Sequence, residues 1–428
     1  DERANLQTLW NDVCRRTGAA NNCAAGRGNA LSALDPSEMA RLQAFLPRPL
    51  RTMELEGYVL DTMLDLDFGA HKLTVGGQYN DTDMVDGVFG MDGAGYRSNT
   101  RQKHRMWALF AEDNWALTDT LTATFGLRYD DHNVFGSHVS PRGYLVWNAS
   151  DAWTFKGGVS TGYKTPRPDQ LFPGITGFGG QGVLPLVGSP NLKPETSTNY
   201  ELAAYYEGQR WGFNVTGFFN RFDDKIASGG TFPNCEVAPA GSGYCVDIGP
   251  GWASLGYSTF TQSVNIDKAE TRGAELAAHV DLLETLQLRG NYTWTRSEQT
   301  SGPQKGLPIS GTMPARHMAN ASLNWQVSDA VSLSLIGEGR YDRYRDTILD
   351  AAGNSHDRVY EDYTIFHLGG SWKANAWLTV NARVNNLLDK DFVSQSCLLI
   401  SQSEFSCVDD YATKDQRRSY WISLNAKF

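Results

Sequence analysis

Amphipathic segments with a two-residue period run along most of this chain, and no apolar run approaches the roughly 18 residues that a membrane-spanning helix needs. Leu121, Ala123, Phe125, Leu127 and Tyr129 alternate with Thr122, Thr124, Gly126, Arg128 and Asp130. Leu286, Leu288, Tyr292 and Trp294 alternate with Gln287, Arg289, Asn291 and Thr293. Leu378, Val380, Ala382 and Val384 do so with Thr379, Asn381, Arg383 and Asn385. The last nine residues, Tyr420 to Phe428, repeat the pattern, with Tyr420, Ile422, Leu424, Ala426 and Phe428 on one side. Successive side chains of a strand point to opposite faces, so each segment is apolar on one face and polar, often charged, on the other. The charged faces call for water. Two architectures satisfy this: a soluble sandwich, or a membrane barrel that is apolar outside and wet inside.

Composition agrees with a turn-rich β protein. Of 428 residues 43 are Gly, aromatic residues are 11%, and mean hydropathy is −0.41. Such a mean suits a barrel, in which only every second strand residue must face lipid. A net charge of −10 argues against a nucleic-acid partner. No secretory leader stands at Asp1, so the sequence is read as mature, processed or truncated. The six cysteines fall as Cys14 and Cys23, Cys235 and Cys245, Cys397 and Cys407. Each pair brackets a short Gly-, Asn- or Ser-rich stretch, and none has the CxxC spacing of a metal site. Three loop disulfides in an oxidising compartment are expected.

About fifteen strands can be counted: 49–67, 70–86, 102–117, 120–134, 138–149, 152–163, 196–207, 210–228, 262–282, 285–299, 315–327, 330–346, 357–373, 376–388 and 417–428. Residues 1–48 read as irregular, with a short helix from Pro36 to Phe45 capped by Asp35. The connections alternate between tight turns, such as Gly69, Leu283-Glu284 and Ser328-Asp329, and mostly long loops at 1–48, 87–101, 164–195, 229–261, 300–314, 347–356 and 389–416. In an up-and-down barrel, alternate connections lie on opposite membrane faces, the short ones in the periplasm and the long ones outside. All three cysteine pairs fall in long loops, on one side. A sandwich gives no reason for that coincidence. The fold expected is therefore an all-β, transmembrane, antiparallel up-and-down barrel in a bacterial outer membrane. An odd strand number leaves an open edge in lipid, which is untenable, so the N-terminal strands are expected to be missing from this sequence.

Particular stretches sharpen this. Val159-Ser160-Thr161-Gly162-Tyr163-Lys164-Thr165-Pro166, followed by Ser189-Pro190-Asn191-Leu192-Lys193-Pro194-Glu195-Thr196-Ser197, resembles a loop-and-strand signature of TonB-dependent outer-membrane receptors. So do Phe110-Ala111-Glu112-Asp113, Asn291 to Ser297, and Val384-Asn385-Asn386-Leu387-Leu388-Asp389-Lys390. The resemblance covers about residues 50–428 and is nearest the catecholate siderophore group, similar to ferric enterobactin and colicin I receptors. It implies about 22 strands, of which roughly fifteen are present, and an N-terminal plug that fills the lumen and carries a TonB-binding box. Neither plug nor box is found in the sequence. Residues 1–48 are then the remnant of an external loop and 49–428 the C-terminal part of the barrel. The terminal strand, with Tyr420, Ile422, Leu424 and Phe428, resembles the signal read by the barrel assembly machinery. Implied partners are a ferric siderophore, outer-membrane lipid and TonB through the plug; a colicin or phage stays open.

A ferric catecholate is a bulky polyanion with aromatic faces, so its receptor needs cations and aromatic rings on external loops and no covalent chemistry. Arg97, Arg101, Lys164, Arg167, Arg343 and Arg345 are the candidate cations, with Tyr96, Tyr163, Phe172, Phe178, Tyr341 and Tyr344 nearby. Loop 164–195 is the strongest stretch. Its Gln181-Gly182 matches the Gln-Gly pair that catecholate receptors place in an external loop, though Gly179 and Gly180 stand where some relatives have a basic residue. Pro190 to Glu195 reads as the turn into the next strand. The ligand set expected is Gln181, Gly182, Arg167, Phe178, Arg97, Arg101, Tyr96 and Arg345.

Haem is the alternative cargo, but no His lies between residues 164 and 195. None of the eight histidines has a partner at metal-ligand spacing, so no bound metal or cofactor is expected; iron would arrive inside the siderophore. A passive porin and a barrel hydrolase are the readings from other classes. His132, Ser137 and His138 with Asp130 and Asp131 could supply the hydrolase on paper. An enzyme is not the expected reading.

Overall fold

The computed structural model describes residues 53–86, 91–92, 95–96, 101–179, 184–239, 241, 243–253, 256–302, 305–309, 315–349, 355–399 and 405–427. The expected remnant 1–48, with Cys14 and Cys23, lies outside them, as do Arg97, Gln181, Gly182 and Phe428.

The two-residue period does produce strands, and they belong to one sheet. Fifteen of its 17 members are long: β1 Met53–Asp67, β2 His71–Asp86, β3 Arg101–Ala116, β4 Leu121–His132, β5 Gly136–Asn148, β6 Trp153–Lys164, β7 Glu195–Glu207, β8 Trp211–Pro233, β9 Thr259–Leu283, β10 Leu286–Gln299, β11 His317–Ser328, β12 Val331–Tyr341, β13 Tyr363–Lys373, β14 Leu378–Asn385 and β15 Ser419–Ala426. Each pairs antiparallel with the next in the chain, from β1–β2 to β14–β15. The remaining two are the short strands Ile175–Gly179 and Leu184–Val187 of a loop hairpin. Among the described residues, β1 and β15 do not pair with each other. Among the described residues the other sheets are three two-stranded ladders, and no second sheet is stacked on the first.

The distribution of polarity decides between sandwich and barrel. In β4 the large apolar residues are the exposed ones, with Phe125 at 56% and Leu127 at 54%, while Asp130 on the other face is 4% exposed. Leu202, Ile422 and Leu424 follow the same rule on β7 and β15, at 67–71%. A soluble sheet would bury those residues; a sheet bathed in lipid presents them. Exposed tryptophans mark one boundary of that lipid band. Trp115, Trp147, Trp211, Trp325, Trp372 and Trp377 all lie within a few residues of a short turn. Indole rings favour the membrane–water interface, so the short turns sit just beyond it. No helix among the described residues is long and apolar enough to cross a membrane.

Turn chemistry accounts for the strand ends. Gly69, with φ +78°, closes β1–β2, its N–H donating to Asp67 Oδ1 at 2.9 Å. Three sequence boundaries need correction. The strand expected over 330–346 stops at Tyr341, because Asp342 adopts φ +53°; a separate hairpin, Arg343–Leu349 with Ser355–Tyr360, follows. The strand expected from 357 starts at Tyr363, its first residues having gone to that hairpin. The strand expected over 376–388 ends at Asn385, since Asn386 takes φ +49°. Asp and Asn tolerate the left-handed region better than other non-glycine residues, and both end a strand here.

Candidate functional site

The long connections all leave one edge of the sheet, and they fold into two packed platforms. The first joins the β6–β7 and β8–β9 loops. After β6, Pro166 is fully buried and Arg167 caps a single helical turn, Pro168–Leu171. The Arg167 N–H donates to Gln170 Oε1 at 2.9 Å, and its guanidinium grips Asp169 through two bonds of 3.0 Å. That pairing holds the Arg167 proton more firmly than usual. The turn packs beside β3, three strands away in the sheet, so the loop reaches back past the strands between them. The hairpin Ile175–Gly179/Leu184–Val187 comes next. Its Ile175 and Val187 are buried with Val246, Trp252 and Phe260, and Phe178 packs against that cluster, 6.2 Å from the Tyr257 ring. Cys235–Cys245 closes the partner loop. Within it, Glu236 accepts N–H bonds from Ala253 and Gly251 at 2.8 and 2.7 Å, which pull its carboxyl below the usual range.

The Pro-Asn-Leu-Lys-Pro stretch is structural, as its sequence suggested. Leu192 is buried, the Lys193 N–H donates to Asn265 Oδ1 at 2.8 Å, and Asn265 Nδ2 donates back to the Lys193 carbonyl at 3.0 Å.

The second platform joins the β12–β13 and β14–β15 loops. The hairpin Arg343–Leu349/Ser355–Tyr360 stands beside the hairpin Gln395–Leu399/Phe405–Asp409, which Cys397–Cys407 bridges between directly opposed residues. Arg345 Nη1 donates to the Asp409 carbonyl at 3.0 Å across the two hairpins. Arg343 and Arg345 both lie over the Tyr360 ring, 5.3 and 5.2 Å from its centre. Ile365, Phe392 and Tyr411 form a small apolar cluster beneath. Arg417 clasps Asp389 and Asp391 at the loop's base and lowers the Asp389 carboxyl to about 2.

The expected ligand residues are thus spread over the rim. Arg167 and Phe178 share the first platform and Arg345 belongs to the second. Tyr96 lies on a two-residue ladder, Met91–Asp92 with Gly95–Tyr96, in the β2–β3 loop. Arg101 points to the same face of β3 as the exposed Trp107 and pairs with Asp83 at 3.2 Å, so it faces away from the lumen. Among the described residues, Arg343 and Lys164 have no carboxylate partner, which leaves their charge more available than that of Arg101 or Arg167.

Sequence spacing missed what the inner wall assembles. Arg128 bonds both oxygens of Asp130 and reaches Gln78, which in turn donates to Asp61 at 2.7 Å. Glu112–Arg142 and Lys156–Glu201 continue the ladder at 2.9 and 3.3 Å, with both cations beside the Tyr144 ring. Near the rim His132 Nε2 meets His104 Nδ1 at 3.4 Å across β3 and β4, a pairing that register creates. These contacts also dispose of the paper hydrolase. Asp130 is held by Arg128, His132 Nδ1 accepts from the Val134 N–H, and His138 stacks on Tyr163 at 4.3 Å. Among the described residues no three His, Cys, Asp or Glu are grouped to hold a metal.

A one-sheet, lipid-facing wall with all long loops at one edge has its counterpart in known proteins. Residues 6–387 match the family described as TonB dependent receptor-like, β-barrel. This chain belongs to that family. It is a multi-pass outer-membrane strand protein of a receptor family. It is 32% identical over 380 residues to an iron-regulated outer membrane virulence protein of Vibrio cholerae, covering 88% of this chain and 52% of that protein. With a ferric enterobactin receptor of Pseudomonas aeruginosa identity is 30% over 311 residues, covering 69% and 39%. The crystal structure of a variant of a P. aeruginosa ferric enterobactin receptor superposes with a TM-score of 0.65 at 25% identity, covering 88% of this chain and 54% of that one. The chain spans about half the length of the curated relatives it matches.

Proposed function

We propose that the protein containing this wall imports ferric siderophores of the catecholate type across the outer membrane, driven by TonB. The observation that carries the reading is the rim: cations and aromatic rings held on two packed loop platforms, in a chain akin to iron-regulated and ferric enterobactin receptors. Arg343 and Arg345 over Tyr360 offer charge and a π face together, the combination a ferric catecholate polyanion would meet. Gln181, Gly182, Phe178 and Arg167 would face it from the opposite loop, and Arg97 and Tyr96 from the β2–β3 loop. For Arg101, its outward ion pair favours anchoring that loop over touching the ligand.

In this reading residues 1–48 belong to an external loop, 49–428 form the C-terminal part of the barrel, and TonB acts through a plug that precedes them. The exposed apolar face of β15, with Tyr420, Ile422 and Leu424, is what the assembly machinery would grip. A colicin or phage would use the same rim. The test is equilibrium binding by the full-length gene product of ferric enterobactin, a hydroxamate siderophore and haem. Catecholate binding well above the other two is expected; preferential haem binding, or none of the three, would discard the reading. Within the catecholate result, Gln181→Ala with Arg167→Ala should weaken binding about tenfold.

A further inference from the structure

The hairpin Ile175–Gly179/Leu184–Val187 does not stand alone, and the way it is held carries a consequence beyond its sequence. Its apolar side is buried against Val246, Trp252 and Phe260. Its second strand pairs in parallel with β9, Leu186 opposite Thr261 and Val187 opposite Gln262. A polar chain runs beside these contacts. The Tyr244 hydroxyl donates to Gln262 Oε1 at 2.7 Å, and Gln262 Nε2 donates to the Gly188 carbonyl at 2.8 Å. Gln262 is 5% exposed, so its bond to the Gly188 carbonyl is shielded from water, while the Tyr244 ring that holds its other end stays exposed. Tyr244 directly precedes Cys245. The disulfide to Cys235 is flanked by bonds from the Cys235 N–H to the Val246 carbonyl at 3.0 Å and from the Val246 N–H to the Pro233 carbonyl at 2.9 Å. Gly188 itself sits where a Cβ would lie 2.2 Å from the Phe172 carbonyl, so its carbonyl is fixed relative to the helical turn as well.

We propose that the disulfide-closed β8–β9 loop is a clamp that sets the position of the β6–β7 hairpin for ligand, with Gln262 and Trp252 as positioning residues, so that ligand affinity depends on the Cys235–Cys245 bond. The proposal rests on the siderophore reading for its ligand, and on the contacts above for its mechanics. Opening the bond frees Tyr244 and Val246 at once. The polar link to Gly188 and the apolar seat of Ile175 and Val187 then fail together. Both attach to the loop-side end of β9, beyond its pairing with β10, which begins at Ala269, so the wall below stays intact.

Two measurements on the full-length protein in detergent test it. The first is the affinity for ferric enterobactin of C235S/C245S and of Gln262→Leu, which keeps a comparable volume while deleting both bonds. The double variant should bind at least tenfold more weakly and Gln262→Leu about fivefold, with the thermal unfolding of the barrel unmoved. The second is hydrogen exchange of the hairpin amides 175–187, which needs no ligand. Exchange should quicken in C235S/C245S and Gln262→Leu while that of β4–β6 is unchanged. Unaltered exchange in both variants overturns the clamp whatever the protein binds. Quickened exchange with undiminished affinity overturns its role in binding. If the unaltered protein fails to bind ferric enterobactin, the siderophore reading falls and the exchange result alone decides the clamp.

Discussion

The two rim platforms are built from opposite materials. The first, joining the β6–β7 and β8–β9 loops, is held by an apolar core of Ile175, Val187, Val246, Trp252 and Phe260. The second, joining the β12–β13 and β14–β15 loops, has only a small cluster around Phe392 and relies on charge: Arg358 on both oxygens of Asp346 at 2.6 Å, Arg345 on the Asp409 carbonyl, and Arg417 on Asp389 and Asp391. An apolar core ignores salt and tolerates no missing volume, whereas surface ion pairs do the reverse. One sheet therefore carries a stiff external platform on one stretch of its loop edge and a solution-sensitive one on another.

The largest break in that contrast should come from Trp252→Ala. Emptying the volume of a buried indole costs about 3–5 kcal/mol, and the loss should appear as exchange of the amides around Val187 and Phe260 with the second platform unaffected. Next is Arg358→Leu. Its side chain is 16% exposed, and removing it leaves Asp346, itself 39% exposed, with only the longer Arg345 contact at 3.7 Å, at a cost of about 1 kcal/mol to the second platform alone. A smaller and reversible effect is expected from salt: raising ionic strength to about 1 M, where the Debye length falls to about 3 Å, should quicken exchange over 386–418 and leave 175–187 as it was.

The smallest effect is that of pH. The Asp389 carboxyl is lowered from 3.8 to about 2, chiefly by hydrogen bonding from Arg417. A depressed carboxyl stabilises the folded form above its unfolded value and stops doing so as pH falls through the folded one. The base of the β14–β15 loop should therefore hold down to about pH 4 and loosen between about 4 and 2. Asp389→Asn should abolish that dependence; persistence of the transition in the variant would assign it elsewhere.

How much of this was legible in the sequence follows the same division. The fifteen wall strands were readable because lipid on one side and water on the other force a strict two-residue alternation. The pairs Cys235–Cys245 and Cys397–Cys407 were readable because their spacing in turn-rich loops leaves few alternatives. The hairpin from Arg343 to Tyr360 was not, because its strands bury their neighbours through Arg, Asp and Tyr and carry no apolar face to alternate. Position in space was least legible. Arg101 reads as one more loop cation, yet strand parity turns it outward, and His104 meets His132 only because the register of β3 and β4 sets Met106 opposite His132 and His104 diagonally beside it on the same face.

The placement of the tryptophans gives this molecule a built-in optical probe. Six exposed indoles stand by the short turns, in the lipid interface, while Trp252 is the only buried tryptophan among the described residues and lies in the loops at the opposite end. A quencher confined to the bilayer would darken the first group and spare the second. Once Trp421, on the water side of β15, is replaced by Phe, the emission that survives would report, without any label, whether the outer loops are shut.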